Sequence, residues 1–274
     1  MNAKSTFNVE FVHEGYGFRS RNCWLNDCLL FNKKSKADLQ EELQNELFER
    51  ITCSFYRYVK ISSPEAIRDA LYLEWNELNI LGRIYLAHEG INAQISVPEP
   101  QWDDFVSKLY HRKEFKNMPF KIAIEEDNES FLKLIIRIKP QIVADGLNNE
   151  KYDLSNIGNY LSAKEFNDAM AEDGSIVVDV RNHYESEIGH FINAITPDVD
   201  TFRESLPLIE KTLSKHKKDK NMLLYCTGGI RCEKASAYFK HKGFANVFQL
   251  AGGIIEYKRQ TMKMKLENSA IIFT

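Results

Sequence analysis

Asn221-Met222-Leu223-Leu224-Tyr225-Cys226-Thr227-Gly228-Gly229-Ile230-Arg231-Cys232 changes character twice within one short stretch. Asn221 to Tyr225 is apolar after its first residue, the pattern of a strand buried on both faces of a parallel sheet. Cys226 stands at the carboxyl end of that strand, two glycines follow, and a helix is predicted over Cys232–Lys242. In an open α/β sheet the crevice beyond the strand ends is where ligands bind. The glycines let backbone N–H groups turn inward and form an anion-binding nest at the helix N-terminus. With Arg231 close by, this setting favours thiolate over thiol and lowers the cysteine pKa. A purely structural cysteine needs neither the glycines nor the arginine. Cys226 is therefore the candidate catalytic residue, and Thr227, Gly228, Gly229, Ile230 and Arg231 are the candidate anion-loop and substrate-binding residues. Cys232 is a candidate redox partner that resolves an oxidised Cys226 as a disulfide; the competing reading is a small residue packing the first helical turn.

The flanking pattern repeats the theme. Ser162-Ala163-Lys164-Glu165 opens a helix with a capping box. Ser175 to Val180 is a second buried strand, Thr201–His216 is helical, Val247–Leu250 is a short strand, and Gly252-Gly253 precedes a last helical stretch. Strands alternating with helices predict a doubly wound α/β domain with a central parallel sheet. Asp179 and Arg181, at a strand end, are expected to form a salt link bracing the neighbouring loop. His183, Glu185 and His190 are expected to hold loops together rather than to act in catalysis.

Upstream the order differs. Ser54 to Val59 is β-prone, and Pro64 opens a helix whose one face carries Ile67, Ala70, Leu71, Trp75 and Leu78. Arg83–Ala87 and Ile91–Val97 are strands joined across His88-Glu89-Gly90, and Gln101–Tyr110 is an amphipathic helix. Phe120–Ile124 and Leu132–Ile138 supply the closing strands. The order βαββαβ predicts a ferredoxin-like α+β domain, an antiparallel sheet with both helices on one face. The expected division is an N-terminal extension over 1–51, a ferredoxin-like domain over 52–139, a turn-rich linker over 140–161, and the α/β domain over 162–274. Within the extension, Lys33–Arg50 reads as a charged amphipathic helix, and Cys23 and Cys28 fall in irregular sequence. His88 and Glu89 form a candidate acid–base pair, against which a tight turn explains Gly90 alone. Arg57, Arg83, Arg112, Lys113, Lys116 and Lys121 are a candidate RNA-facing surface, the ordinary alternative being solvated charge.

Composition bounds the rest. The 274 residues are 43% apolar and 27% charged, enough for two domains with normal cores and inconsistent with a disordered chain. A net charge of −3 excludes a protein that coats nucleic acid through bulk positive charge, though not a local basic groove. Five cysteines without paired Cys-x-x-Cys knuckles argue against a disulfide scaffold or structural zinc. No apolar run reaches the ~20 residues of a bilayer span, and the N-terminus has no signal-peptide pattern, so the expected compartment is the cytoplasm. No metal site and no flavin site are read: a facial triad for iron and a Rossmann glycine fingerprint are both missing.

Cys226 and Arg231 are separated by four residues, one fewer than in the tyrosine-phosphatase type of anion loop. The smaller ring of amides suits a terminal sulfur better than a phosphate. Here the sequence resembles the rhodanese family, with Asp179-Val180-Arg181, Gly189 to Ala194 and Gly252-Gly253 as further markers. Tyr85 to Ser96, Ile142-Val143-Ala144-Asp145-Gly146 and Cys226 to Ser236 together resemble the rhodanese-related, oxygen-dependent tRNA uridine hydroxylases, over roughly Thr52 to Tyr257. That resemblance implies an oxidoreductase that converts the wobble uridine of tRNA to 5-hydroxyuridine. It also implies molecular oxygen as co-substrate and the tRNA anticodon loop as partner. The family is expected to continue into a cysteine-rich C-terminal segment, which the sequence to Thr274 lacks. The alternative functions are a rhodanese-type sulfurtransferase carrying sulfane sulfur as a Cys226 persulfide, and a docking module without chemistry. The intact cysteine-plus-arginine loop argues against the second.

Overall fold

The structure, a computed structural model, describes residues 34–123, 131–147 and 152–263 together with the backbone of 271–273. Cys23 and Cys28 lie outside these residues. Helix α1 (Lys36–Gln44) starts at a Ser35 capping box and is shorter than predicted, because Arg50 already belongs to the first strand. The buried Arg50 guanidinium is fully partnered, by Glu46 and by the carbonyls of Asn79 and Ser96.

The first domain runs β1 (Arg50–Tyr58), α2 (Pro64–Glu77), β2 (Leu81–Ala87), β3 (Gly90–Pro98), α3 (Trp102–His111), β4 (Lys121–Ile122) and β5 (Leu134–Ile138). Its sheet has the order β4-β1-β3-β2-β5, the ferredoxin-like arrangement with one added strand. Alternation along β1 sends Cys53 and Phe55 into the core, where Phe55 meets Trp75 of α2 and Phe105 of α3. Both helices therefore cover the same face. One strand departs from the antiparallel expectation: β5 pairs parallel with β2. The apolar pattern of Leu132–Ile138 identifies a strand but not its edge, and docking beside β2 packs Leu134 and Ile136 on the shared core.

The second domain runs β6 (Asn159–Leu161), α4 (Ala163–Met170), β7 (Ser175–Asp179), α5 (His183–Ile188), β8 (Gly189–Phe191), α6 (Phe202–Leu213), β9 (Asn221–Tyr225), α7 (Ile230–His241), β10 (Asn246–Leu250), α8 (Gly253–Lys263) and β11 (Ile271–Phe273). Four strands form a wholly parallel sheet in the order β6-β10-β9-β7; β8 and β11 make a separate antiparallel pair. Val177, Leu223 and Tyr225 face the layer of Phe166 and Tyr257 from α4 and α8. Val178, Met222 and Leu224 face Leu206, Ala235 and Phe239 from α6 and α7. Helices on both faces make the sheet doubly wound, and this is why its strands are apolar without alternation. Within the interval 140–161, the described residues Ile142 and Asp145 are buried, and β6 joins the parallel sheet.

Candidate active site

Strand β9 carries Cys226 into the interior at its carboxyl end, where the side chain is completely buried. Gly229, the residue before α7, has φ +97°, a left-handed conformation that turns its amide back onto the Cys226 sulfur at 3.0 Å. Gly253 closes the loop from the far side. Its φ is +71°, and a Cβ there would lie 2.6 Å from the Cys226 carbonyl oxygen, while the next amide, of Ile254, donates to that oxygen at 2.9 Å. Burial alone pushes the Cys226 thiol up. The Cys232 thiol donating to the sulfur, the Arg231 charge and the amides of Cys232 and Gly229 outweigh it and bring the group down to about 5. Burial and the bond to Cys226 push Cys232 well above its ordinary value. The two shifts run in opposite directions, so Cys226 is the member of the pair poised to ionise and Cys232 the one that keeps its proton and donates it to the sulfur.

Arg231 is held in a fork. Its two terminal nitrogens donate to the two Glu185 carboxylate oxygens at 2.5 and 2.8 Å, and one also donates to the Thr227 hydroxyl at 2.9 Å. The Thr227 hydroxyl in turn donates to Glu185 at 2.5 Å. Burial acts to raise the Glu185 carboxyl, but the bonds from Arg231 and Thr227 hold it near 2. Glu185 lies in the first turn of α5 and accepts from the Asn182 amide, so a helix cap positions the acid that aims the arginine. A second, deeper pair braces the loop before it. Arg181 binds Asp179 and the Gly189 carbonyl, and the Tyr225 hydroxyl donates to Asp179 at 2.7 Å.

The nest is roofed by the first domain. Tyr56 and Tyr58 leave β1 on the face opposite Phe55; the Tyr56 hydroxyl donates to Glu233 at 2.8 Å and the Tyr58 hydroxyl to the Ile230 carbonyl at 3.1 Å. The Lys121 ammonium of β4 donates to the Gly228 carbonyl and stands 5.3 Å over the Tyr56 ring. Tyr160 of β6 donates to the same Glu233 oxygen at 2.7 Å. These residues line a pocket of about 350 Å³ at the domain junction. Behind it, the Lys234 ammonium is buried between Glu89 at 3.0 Å, Asp145 at 3.2 Å and the Val143 carbonyl at 2.6 Å.

Residues 50–142 match the UPF0176 acylphosphatase-like domain and residues 162–260 match the rhodanese-like domain. A tRNA uridine(34) hydroxylase of Leptospira interrogans is 54% identical over 87% of this chain and 65% of its own length. One from Escherichia fergusonii is 46% identical over 87% of this chain and 68% of its own. The chain belongs to the tRNA uridine(34) hydroxylase family. It spans about two thirds of the length of these relatives. Among solved structures, a rhodanese-like domain protein of Staphylococcus aureus is 21% identical, covering 36% of this chain and 90% of that one at a TM-score of 0.30.

Cys226, Thr227, Gly228, Gly229, Ile230, Arg231 and Cys232 form one continuous site, and Asp179 with Arg181 braces it as expected. His88 and Glu89 do not act as a pair: the His88 ring bonds the Ile61 carbonyl, whereas Glu89 bonds Lys234 and the Ile142 amide. A hairpin turn that sends the two side chains to different neighbours splits them. The basic surface also disperses. Arg57 is spent on the carbonyls of Glu114, Lys116 and Asn117, Arg112 on Glu74, and Lys121 on the nest. Sequence reasoning missed Tyr56, Tyr58, Tyr160 and Glu233, and it missed Glu185 as the anchor of Arg231. A glutamate at the third position after the Asn182 cap was the one local signal for Glu185. Among the described residues, no three His, Cys, Asp or Glu side chains gather in a way that could hold a metal, and no helix is long and apolar enough to cross a membrane.

Proposed function

We propose that this protein is a tRNA-modifying oxidoreductase that hydroxylates the wobble uridine of the anticodon loop at its C5 carbon, with molecular oxygen as co-substrate and Cys226 as the reactive group. The observation that carries the reading is the 46–54% identity, over 87% of the chain, to proteins named tRNA uridine(34) hydroxylase. The geometry supports it by offering a thiolate at neutral pH, held in a buried nest that Gly229 separates from a pocket walled with tyrosines. Anticodon-loop bases are already unstacked enough for such a pocket to reach.

Hydroxylation with oxygen needs two electrons: the uracil C–H, O₂ and two thiols give the C–OH, water and a disulfide. The contact between Cys226 and Cys232 supports a reading in which these are the two thiols, and a cellular dithiol then restores them. Arg231, Thr227 and the loop amides hold the Cys226 anion, and Glu185 holds Arg231. The test is nucleoside mass spectrometry of tRNA from cells lacking the protein. Wild type should restore 5-hydroxyuridine and Cys226→Ser should not; full restoration by Cys226→Ser removes the catalytic assignment. Cys232→Ser should lower activity only if the disulfide forms. Thiocyanate production from thiosulfate and cyanide, dependent on Cys226 and without hydroxylation, would instead favour the sulfurtransferase.

A further inference from the structure

We infer that the pocket at the domain junction receives the uracil base of the substrate nucleotide, and that Glu233 selects uracil over cytosine by accepting its N3–H. The inference rests on the hydroxylase reading above and adds a residue for base choice.

The pocket's volume of about 350 Å³ sits at the small end of the roughly 300–1,000 Å³ of small-molecule sites, room for one base and its sugar but not for a paired stem. Three of its walls are tyrosines. Tyr56 and Tyr58 meet edge to face, 6.3 Å between ring centres, and Tyr160 of the second domain joins them in the lining. Aromatic walls of this kind hold single unstacked bases by stacking. The pocket also lies against the reactive group. The Tyr56 hydroxyl is 2.8 Å from where a Cβ on Gly229 would stand, which leaves Gly229 as the thin partition. Tyr56, Tyr58, Lys121 and Glu233 all lie near enough to feel the Cys226 charge.

The polar groups define which base fits. Two tyrosine hydroxyls donate to Glu233 Oε1, and Oε2 has no hydrogen-bond partner among the described residues. Glu233 lines the pocket, so a base that displaces water from that oxygen must bring a donor in return. Lys121 stands on the same pocket; of its three ammonium protons, one is placed on the Gly228 carbonyl and one reaches the Gly252 carbonyl at 3.4 Å, which leaves one for a ligand. The tyrosine hydrogens are committed to Glu233 and to the Ile230 carbonyl, so the remaining donor is the Lys121 ammonium; a carboxylate beside an ammonium matches the N3–H of uracil beside one of its carbonyl oxygens. Cytosine presents a bare N3 acceptor in place of that N–H, which would meet the carboxylate oxygen lone pair to lone pair. The mismatch leaves two buried acceptors facing each other and is costly for the same reason that unpaired polar groups are.

The experiment uses the full chain and anticodon stem-loop RNAs that differ only in having U or C at position 34, with binding followed by fluorescence anisotropy. The wild type should prefer U by about tenfold or more. Glu233→Gln keeps the shape but offers an amide N–H, so the preference should vanish or invert while total RNA binding survives. Tyr160→Phe removes one donor to Glu233 and should reduce the preference by a smaller factor, which serves if the glutamine variant does not fold. In parallel, 4-thiouridine at position 34 should photo-crosslink to peptides carrying Tyr56, Tyr58 or Tyr160. Equal binding of the two RNAs, an unchanged preference in Glu233→Gln, or crosslinks outside those peptides overturns the inference. Hydroxylation is read separately by nucleoside mass spectrometry. U34 preference without hydroxylation defeats the hydroxylase reading alone; hydroxylation without the Glu233 effect defeats only the pocket.

Discussion

Cys53 and Cys226 are both buried cysteines on strands, and their chemistry could hardly differ more. Cys53 lies mid-strand in β1, surrounded by the apolar core of the first domain, and burial pushes its thiol up to about 12. Cys226 is at least as buried, yet it falls to about 5. Desolvation acts on both in the same direction, so the difference comes from what surrounds the sulfur at a strand end. There the backbone is no longer committed to the sheet ladder, and the Gly229 and Cys232 amides, the Cys232 thiol and Arg231 can all point at one atom. Burial decides how much such donors matter; position in the strand decides whether there are any.

The largest effect should come from exchanging sulfur for oxygen. Cys226→Ser is expected to lose hydroxylation completely in the complementation assay, whereas Cys53→Ala keeps it; activity in the first variant or its loss in the second breaks the contrast. Next comes intrinsic reactivity. At pH 7 the ionised fractions differ by about five orders of magnitude, but a low-pKa thiolate is a weaker nucleophile. Iodoacetamide should therefore label Cys226 roughly a hundredfold faster than Cys53, as read by peptide mass spectrometry. The labelling rate of Cys226 should reach half its plateau near pH 5. Equal rates for the two would show that access through the tyrosine roof, not ionisation, governs the site.

A smaller change is expected on the arginine. Arg231→Lys keeps a charge but loses the fork onto Glu185, so the labelling midpoint should rise above 5 and hydroxylation at pH 7 should fall roughly tenfold. The same linkage predicts a stability profile. The native thiolate is favoured, so its contribution is complete above the unfolded value near 9 and is lost as pH falls towards 5. Thermal midpoints should climb across that interval in the wild type and climb less in Cys226→Ser. Smallest of all, Cys53→Ala should cost about 1 kcal/mol in denaturant unfolding without altering base preference or labelling of Cys226.

The contrast also marks what a local sequence pattern can carry. The groups that lower the Cys226 thiol lie within one strand–loop–helix passage, with Arg231 five residues along the chain, so local pattern and turn chemistry were sufficient to single it out. The two domain folds were legible for the same reason, since period and order of elements are local properties. The roof was not. Tyr56, Tyr58 and Lys121 reach the nest from a different domain, more than a hundred residues away in sequence. Nothing in β1 distinguishes a tyrosine facing solvent from one facing a partner domain. Glu185 was read as a loop-holding residue because its partner is 46 residues on. The edge chosen by β5 and the dispersal of Arg57 and Arg112 likewise follow from packing, which the residue pattern does not encode.

Lys234 carries one more consequence. Its ammonium, on a helix of the second domain, is neutralised by Glu89 of the first domain and by Asp145 between them. Melting the first domain alone would remove Glu89 and leave the ammonium with Asp145 and the Val143 carbonyl, a loss of about 1.5–3 kcal/mol for the charged contact between the halves. The two halves are thus welded energetically as well as sterically, and calorimetry should record one cooperative transition where two autonomous modules would give two. Splitting the chain, or grafting its catalytic half onto another scaffold, would begin by breaking that weld.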